Sequence, residues 1–228
     1  MEDWRDRTIK LIGKEQVYIL NNSNVIVFGV GGVGGFAIEG LVRAGIGNFT
    51  IVDNDVVSLT NINRQIIATC STIGKDKTEV MKLRILDINP NAKVNAIKEF
   101  VTPYNIDKFN LKQFDFIVDA IDNITAKIAL AKYAEDNGIN IISCMGTGNK
   151  VCPEMFEISD IYKTSVCPLA KVMRKELKAR GVKHLKVLYS KEQPCSKNAS
   201  RTPASISFTV GIAGLRLAEY VIKCILNI

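Results

Sequence analysis

The chain has 228 residues, 47% of them apolar and 23% charged, and it carries a net charge of +7. This length can bury a large core, and the composition excludes a chain dominated by disorder. The charged stretch from Met1 to Lys10 lacks the apolar segment of a secretory signal. Six scattered cysteines without a C-x-x-C pair argue against a zinc ribbon or thioredoxin motif and favour free thiols in the cytoplasm.

The positive charge is concentrated in the last third of the chain. Residues 160–228 contain 13 Lys/Arg against four Asp/Glu, whereas residues 1–159 contain 17 Lys/Arg against 19 Asp/Glu. This asymmetry predicts a polyanionic partner for the C-terminal third, with nucleic acid as the leading candidate. A basic surface that is merely solvated is the alternative interpretation.

Apolar runs alternate with helix-length amphipathic stretches, which is typical of βαβ units. We therefore expect a Rossmann-like α/β fold, a mostly parallel sheet flanked by helices, with a C-terminal extension that completes the sheet and a dimer. The single unit would comprise N-terminal helices over 1–22, a nucleotide-binding core over 23–145 and a substrate and dimer part over 146–228. The predicted strands cover 25–28, 49–52, 94–97, 114–119, 139–144, a short segment after 153, and 185–189. Two predicted helices end near residues 20 and 44, and the others cover 75–88, 124–136, 169–179 and 205–226.

The last predicted helix, over 205–226, is the one segment with the length of a membrane span. Arg216, Glu219 and Lys223 give it a paired polar edge, and charges within a span are costly. We expect a buried or dimer-interface helix without stable membrane insertion, and peripheral membrane contact stays open.

A glycine-rich turn follows the first predicted strand and precedes a helix. Its sequence, Gly29-Val30-Gly31-Gly32-Val33-Gly34, contains G-x-G-x-x-G. Glycine at the first positions allows a tight turn and close approach to phosphate, and the third lets the helix pack against the strand. Asp53 closes the second strand 19 residues after Gly34, where a carboxylate can accept hydrogen bonds from ribose. The sequence therefore predicts a nucleotide site.

The motif alone does not distinguish ATP from NAD. A dehydrogenase of this fold needs an acid or base for the substrate carbonyl, and the only histidine, His184, lies in a basic stretch far from the strand ends. Tyrosine or lysine could replace it, so this argument disfavours a dehydrogenase without excluding one.

Polar and cationic side chains follow the second strand, at the edge where open α/β sheets bind ligands. Arginine offers a planar fork for phosphate groups, and lysine offers a compact charge. We expect this cluster to contact the nucleotide; it comprises Asn61, Asn63, Arg64 and Lys77, with Asp55 and Gln65 beside them.

A second group of carboxylates lies at the end of the strand predicted over 114–119. Asp119 continues that strand, whereas Asp122 would lie in the crevice beyond it. Magnesium is typically held by one or two carboxylates and phosphate oxygens, so Asp122 is a candidate Mg²⁺ ligand. The alternative is that Asp122 or Asn123 caps the next helix.

Together these motifs resemble the ThiF/HesA superfamily of adenylating enzymes, which includes activators of ubiquitin-like and sulfur-carrier proteins. The similarity is carried by GVGGVGG, IVDND, TNINRQ, GKDK and DAIDN, with RTIKLIG near the start. Within the superfamily, segments 146–153, 160–170 and 187–192 most resemble the tRNA threonylcarbamoyladenosine dehydratases. Those enzymes use ATP to cyclise the threonylcarbamoyl group on the adenosine beside the tRNA anticodon.

The resemblance implies roles for individual residues. Asp53 would bind ribose, Asp122 would hold Mg²⁺, and Arg7 would reach the triphosphate in the other subunit of a homodimer. The substrate carboxylate would attack the α-phosphate of ATP, and a neighbouring atom of the same group would then displace AMP. A sulfur-transfer protein is a further candidate partner. Residues implied to line the ATP site are Asn61, Arg64, Gln65 and Lys77.

The chain departs from the superfamily pattern at two points, and the first argues against a carrier-protein substrate. Members that act on carrier proteins usually have two C-x-x-C pairs, which this chain lacks, and Cys152 stands where the dehydratase pattern has an acidic residue. The nearest alternative is an adenylyltransferase for a carrier protein's C-terminal glycine, with Cys195 accepting the acyl group; Cys195 as an incidental loop cysteine is the simpler interpretation. A catalytically inert nucleotide-binding adaptor is the alternative from another class.

Overall fold

The computed structural model of the chain describes residues 3–195 and 203–228. The strands and helices alternate along most of the chain, as the sequence predicts. The strands are β1 (Asn24–Phe28), β2 (Asn48–Val52), β3 (Lys93–Ile97), β4 (Phe116–Asp119), β5 (Ile141–Cys144), β6 (Phe156–Asp160) and β7 (Lys186–Ser190). The α-helices are α1 (Asp6–Ile12), α2 (Lys14–Asn22), α3 (Gly34–Ala44), α4 (Lys77–Ile88), α5 (Ile124–Asn137), α6 (Pro168–Ala179) and α7 (Ser207–Leu226).

The strands form one sheet in the order β3-β2-β1-β4-β5-β7-β6. All neighbours are parallel except β6 and β7, which pair antiparallel. The expected α/β fold with a mostly parallel sheet is confirmed, and so is its completion by the C-terminal part, because β7 pairs with β5. The carboxyl ends of the parallel strands therefore meet along one edge of the sheet.

Boundary differences from the predicted elements are small and have local causes. The N-terminal helical stretch is split at Gly13, whose φ of +94° breaks the helix. Asn21 and Asn22, expected in a turn, extend α2 by one half-turn, while β4 and β5 each begin two residues later than predicted. Gly45 caps α3 with φ +114°, as predicted.

Helix α7 packs against α3 across a surface of small residues. A Cβ on Gly40 would lie 2.8 Å from Ala218 Cβ, and one on Gly214 would lie 2.3 Å from the carbonyl oxygen of Val33. Leu217 and Val221 of α7 are fully buried in the core beneath this crossing. One face of α7 is buried in the core, as expected for a buried or dimer-interface helix. Within residues 3–195 and 203–228, no helix has the length and apolar composition of a membrane span.

The α3–α7 crossing generates a stability prediction. Gly214→Ala should lower the free energy of unfolding by about 1–3 kcal/mol, because the new methyl group meets backbone that cannot move aside. Gly211→Ala is the matched control on the same helix, since its Cβ would lie 3.4 Å or more from the Phe36 ring. It should be neutral or stabilising, by up to about 1 kcal/mol, through helix propensity. Urea unfolding measures the stability of both variants. Equal free energies of unfolding for the two variants would contradict this account of the α3–α7 packing.

Candidate functional site

A cavity of about 440 Å³ opens along the carboxyl edge of the sheet. Its wall is built from the segments that follow β1, β2, β3, β4 and β5, together with the start of α7. Ligands of open α/β sheets bind in this crevice, so the location agrees with the sequence prediction. Predicted site residues that line the cavity are Gly29, Gly31, Gly32, Asp53, Asp55, Asn61, Arg64, Gln65, Lys77 and Asp122.

The glycine-rich turn is shaped by two close backbone approaches. Gly29 has φ +91°, and a Cβ there would lie 2.7 Å from the carbonyl oxygen of Ala120. A Cβ on Gly34 would lie 1.8 Å from the carbonyl oxygen of Gly29. Gly34 thus lies behind the turn and allows α3 to pack against β1, whereas Gly31 and Gly32 line the cavity, where backbone N–H groups attract anions.

Asp53 connects the glycine-rich turn to the end of β2. Its Oδ2 accepts a hydrogen bond from the N–H of Val30 at 2.7 Å, and its Oδ1 accepts one from the N–H of Asp55 at 2.9 Å. These bonds orient the carboxylate into the cavity between the two strands. The remaining lone pairs can accept hydrogen bonds from two adjacent hydroxyl groups, as a ribose offers.

Lys77 stands at the start of α4 and is held by an ion pair. Its Nζ lies 2.7 Å from Oδ2 of Asp55, and the lysine side chain is 6% exposed against 57% for the aspartate. The backbone N–H of Lys77 also donates to the carbonyl oxygen of Asp55 at 3.1 Å. Asp55 therefore positions Lys77 beside the cavity, a role that the sequence did not reveal.

Arg64 lies against the glycine-rich turn. A Cβ on Gly32 would lie 3.5 Å from Cγ of Arg64, so the side chain covers the turn. Its Nη1 donates to the carbonyl oxygen of Thr60 at 2.9 Å and to Oδ1 of Asn63 at 3.0 Å. Asn63 does not line the cavity; its Nδ2 donates to the carbonyl oxygen of Ser205 and ties this segment to the approach to α7.

Two buried amide side chains complete this side of the cavity. Asn61 Oδ1 accepts a hydrogen bond from the N–H of Ser58 at 3.1 Å, which closes a tight turn. Gln65 is 7% exposed, and its Oε1 has no hydrogen-bond partner among the described residues. Because a buried polar atom without a partner is costly, this amide fits a ligand that supplies the missing bond.

The sequence left open whether Asp122 holds a metal ion or whether Asp122 or Asn123 caps the next helix. Oδ1 of Asn123 accepts a hydrogen bond from the N–H of Ala126 at 3.0 Å and caps α5. Asp122 lines the cavity with an exposed side chain and forms no hydrogen bond or ion pair with the described residues. A carboxylate in this position fits a metal ion that shares oxygens of a bound phosphate.

Beneath the cavity floor lies a buried ionic network that the sequence analysis missed. Nζ of Lys127 lies 3.0 Å from both oxygens of Asp119, and both side chains are 0% exposed. The hydroxyl group of Ser143 donates to the same carboxylate, and Oδ1 of Asp119 accepts a hydrogen bond from the N–H of Ile121 at 3.3 Å. The network therefore fixes the start of the segment that carries Asp122. The i, i+8 spacing of Asp119 and Lys127 across a helix start gave no recognisable signal.

A third buried lysine, Lys150, organises the cavity wall that follows β5. Nζ of Lys150 donates to the carbonyl oxygen of Glu192, whose carboxylate accepts the N–H groups of Val151 and Cys152. Asn149 binds Ala204 through reciprocal hydrogen bonds of 2.8 Å. Two of the dehydratase-like segments, 146–153 and 187–192, are thereby joined to each other and to residues 203–205.

A family model described as the ThiF family matches residues 5–228. The chain belongs to the ThiF family. This agrees with the glycine-rich turn, the Asp53 carboxylate and the cationic cluster that surround the cavity.

The comparisons also distinguish between branches of the ThiF family. The tRNA threonylcarbamoyladenosine dehydratase of Bacillus subtilis is 40% identical over 95% of this chain and 92% of its own length. The structure of the Escherichia coli tRNA N6-threonylcarbamoyladenosine dehydratase in complex with ATP has a TM-score of 0.92 and 31% identity, covering 100% of this chain and 96% of that one. A probable molybdopterin-synthase adenylyltransferase of Porphyra purpurea is 35% identical over 54% of this chain and 31% of its own length.

The cysteines of this ThiF-family chain are all free. Cys144 lies at the end of β5, and burial raises the pKa of its thiol to about 12. Burial and the carboxylates of Glu192 and Glu154 raise the pKa of the Cys152 thiol. Both thiols are therefore poor nucleophiles near neutral pH, since the thiolate is the reactive form. Cys195 is exposed and follows β7, outside the cavity.

The buried network predicts a strong effect of Lys127→Met. Removing the ammonium group leaves the Asp119 carboxylate buried without its counter-charge, which should lower the free energy of unfolding by about 3–5 kcal/mol. The double variant Lys127→Met/Asp119→Asn should recover part of this loss, because no unpaired charge is then buried. Denaturant unfolding measures both, and equal stability of the single variant and the wild type would contradict this account of the network.

Proposed function

We propose that this ThiF-family protein is an ATP-dependent tRNA threonylcarbamoyladenosine dehydratase. The observation that carries the proposal is the cavity itself, in which an anion-binding turn, Arg64, Lys77 and the exposed carboxylate of Asp122 converge. Similarity to enzymes of that name extends over nearly the whole chain. Acting on tRNA, the enzyme would work in the cytoplasm, in keeping with its free thiols.

The contacts around the cavity suggest how ATP would be oriented. Asp53 would bind the ribose, so the adenine would extend towards the segment after β3, where Phe100 and Val101 offer apolar surface. The phosphates would then lie on the glycine-rich turn, within reach of Arg64 and Lys77. The part of the cavity next to β5, lined by Thr147 and Gly148, would receive the substrate carboxylate.

Magnesium fits the same site through Asp122. Its carboxylate is exposed in the cavity and engaged by no described side chain, whereas Asp119 and Asp55 are each paired with a lysine. Asp122 and phosphate oxygens would hold Mg²⁺, which would neutralise part of the charge on the phosphate groups.

In the first step, a carboxylate oxygen of the threonylcarbamoyl group attacks the α-phosphorus of ATP. An oxygen–phosphorus bond forms, the bond to the bridging oxygen breaks, and pyrophosphate leaves. Two anions must meet, so the barrier is largely electrostatic, and Arg64 and Lys77 stabilise the charge that develops on the phosphate oxygens. Removing one preorganised donor of this kind typically costs ~10²–10³ in rate.

In the second step, a neighbouring atom of the same substituent attacks the activated carbonyl carbon and loses its proton. AMP leaves with the former carboxylate oxygen, so the net change in the substrate is loss of water. Because the nucleophile is part of the substrate, the protein has to supply orientation and no nucleophilic side chain. The raised thiol pKa values of Cys144 and Cys152 agree with this requirement.

A homodimer would complete the site. Phe208, Ile212 and Leu215 lie at i, i+4 and i+7 on the outer face of α7 and are 45%, 37% and 47% exposed. Such an exposed apolar stripe is typical of an interface with a second copy. Arg7 is exposed on α1 and does not line the cavity of its own chain, so we place it in the partner's ATP site.

A sulfur-transfer protein remains a candidate partner, with the exposed Cys195 as the accessible thiol.

The alternative, adenylation of a carrier protein's C-terminal glycine, has less support. The chain lacks the paired C-x-x-C motifs, and similarity to the carrier-protein branch covers about half of it. An excess of nine positive charges in residues 160–228 also favours a nucleic-acid substrate.

The proposed metal role predicts the behaviour of Asp122→Ala. This variant should fold normally, because the side chain is exposed and unpartnered, but form AMP from ATP at least ~10²-fold more slowly with tRNA substrate present. Asp107→Ala, which removes an exposed carboxylate outside the cavity, is the control and should retain wild-type activity. AMP formation by Asp122→Ala at a near wild-type rate would refute the metal role.

The dimer proposal predicts complementation between two inactive variants. Arg7→Ala and Asp122→Ala should each be inactive alone, but a refolded equimolar mixture should regain about a quarter of wild-type activity. Half of the dimers would then be mixed, and each mixed dimer would have one intact site. No recovery, despite dimers seen by sedimentation, would show that Arg7 does not act in the partner's site.

A further inference from the structure

Helix α6 begins beside the cavity. Gly146 lines the cavity, and a Cβ on Gly146 would lie 3.8 Å from Sγ of Cys167 and 3.9 Å from Cβ of Leu169. The helix continues to Ala179, and none of its residues lines the cavity. The start of α6 therefore lies next to the part of the cavity where we place the substrate carboxylate.

The residues of α6 separate into an apolar and a basic face. Ala170, Met173 and Leu177 are 0% exposed and pack into the core. Lys171, Lys175 and Lys178 are all exposed and lie at i, i+4 and i+7, which places them in one line along the helix. We name these three lysines the α6 stripe.

The α6 stripe carries uncompensated positive charge. No carboxylate of the described residues lies within 4.0 Å of these three ammonium groups, whereas Arg180 pairs with Glu176 at 2.6 Å on a neighbouring face. Lys183 and Lys186 follow the helix and are also exposed. Lysines without partners on a rigid helix form an electrostatic footprint for a polyanion.

We propose that the α6 stripe binds the phosphate backbone of the tRNA that flanks the modified nucleotide; this inference rests on the proposed function. The stripe extends about 10 Å at 1.5 Å per helical residue. A nucleic-acid strand carries a phosphate roughly every 3.4 Å of axis, so the stripe can contact two or three successive phosphates. Bound there, the strand lies beside Gly146, and the nucleotide to be modified can enter the cavity.

The burial pattern favours RNA over an anionic membrane. A helix that binds a membrane surface inserts its apolar face, but the apolar face of α6 is already buried in the core. The stripe is a row of point charges that would contact phosphates irrespective of base, so base specificity has to come from the cavity.

The test compares two charge-matched double variants. Lys171→Gln/Lys175→Gln removes two charges from the stripe, and Lys93→Gln/Lys112→Gln removes two exposed charges near the amino ends of β3 and β4, at the opposite edge of the sheet. The probe is tRNA carrying threonylcarbamoyladenosine. Its Kd is measured between 50 and 200 mM salt, alongside ATP affinity and the steady-state rate of AMP formation.

If the stripe binds the backbone, the Lys171/Lys175 variant should bind tRNA on the order of tenfold more weakly, and its slope of log affinity against log salt should be shallower by about 1–2. The KM for tRNA should rise while kcat and ATP affinity stay near wild type, because the stripe does not touch the reacting atoms. The Lys93/Lys112 variant should match the wild type in all of these measurements.

Three outcomes would overturn the proposal. Equal tRNA affinity and salt slope in the two double variants would refute the stripe while leaving the dehydratase function intact. Loss of kcat without a change in KM would assign the two lysines to the chemical step. If wild-type protein neither bound this tRNA nor formed AMP with it, the proposed function itself would fail, and binding of an acidic protein would have to account for the stripe.

Discussion

The site depends on one close approach between two backbones. Gly29 at the end of β1 passes so near Ala120 at the end of β4 that any side chain at Gly29 would collide with the carbonyl group of Ala120. This contact brings the anion-binding turn and the segment carrying Asp122 to opposite sides of one crevice. The backbone N–H groups of the turn and the carboxylate that would hold Mg²⁺ then face the same cavity, which neither segment could arrange alone.

Charge around the crevice follows a consistent pattern. Two lysines at the site form ion pairs: Lys127 with Asp119 beneath the cavity, and Lys77 with the half-exposed Asp55 beside it. Asp122, in contrast, has no partner within residues 3–195 and 203–228, and the guanidinium group of Arg64 uses one nitrogen for neutral acceptors. A buried ion pair costs desolvation energy but holds its neighbours in a single geometry. The guanidinium group of Arg64 can therefore act with Lys77 on charge that develops at a phosphorus centre, and the free carboxylate of Asp122 would act there only through the Mg²⁺ that it would hold.

Local motifs predicted much of the crevice beside β1, β2 and β4. The turn at Gly29–Gly34, the position of Asp53 and the exposure of Asp122 all follow from short-range patterns whose geometry has few solutions. The Lys127 network and the Lys150–Glu192 contact were not predicted, because no local motif marks Lys127 as the partner of Asp119 eight residues before it, and Lys150 and Glu192 are 42 residues apart. Neither a lone lysine in a helix nor a glutamate after a strand signals its partner. The sequence likewise predicted that the C-terminal part completes the sheet, but it did not predict the strand order in which β7 pairs with β5.

The two halves of the crevice therefore differ in how they are built. The half that would hold ATP consists of continuous motifs at the ends of β1, β2 and β4. The half next to β5 is assembled from three separate segments, joined by Lys150, Glu192 and Asn149. Changes in those segments can alter which carboxylate is admitted without disturbing the phosphate contacts. In this chain the β5 side also lies next to the start of α6, so the half of the crevice that can vary is the half to which the α6 stripe would present a polyanion.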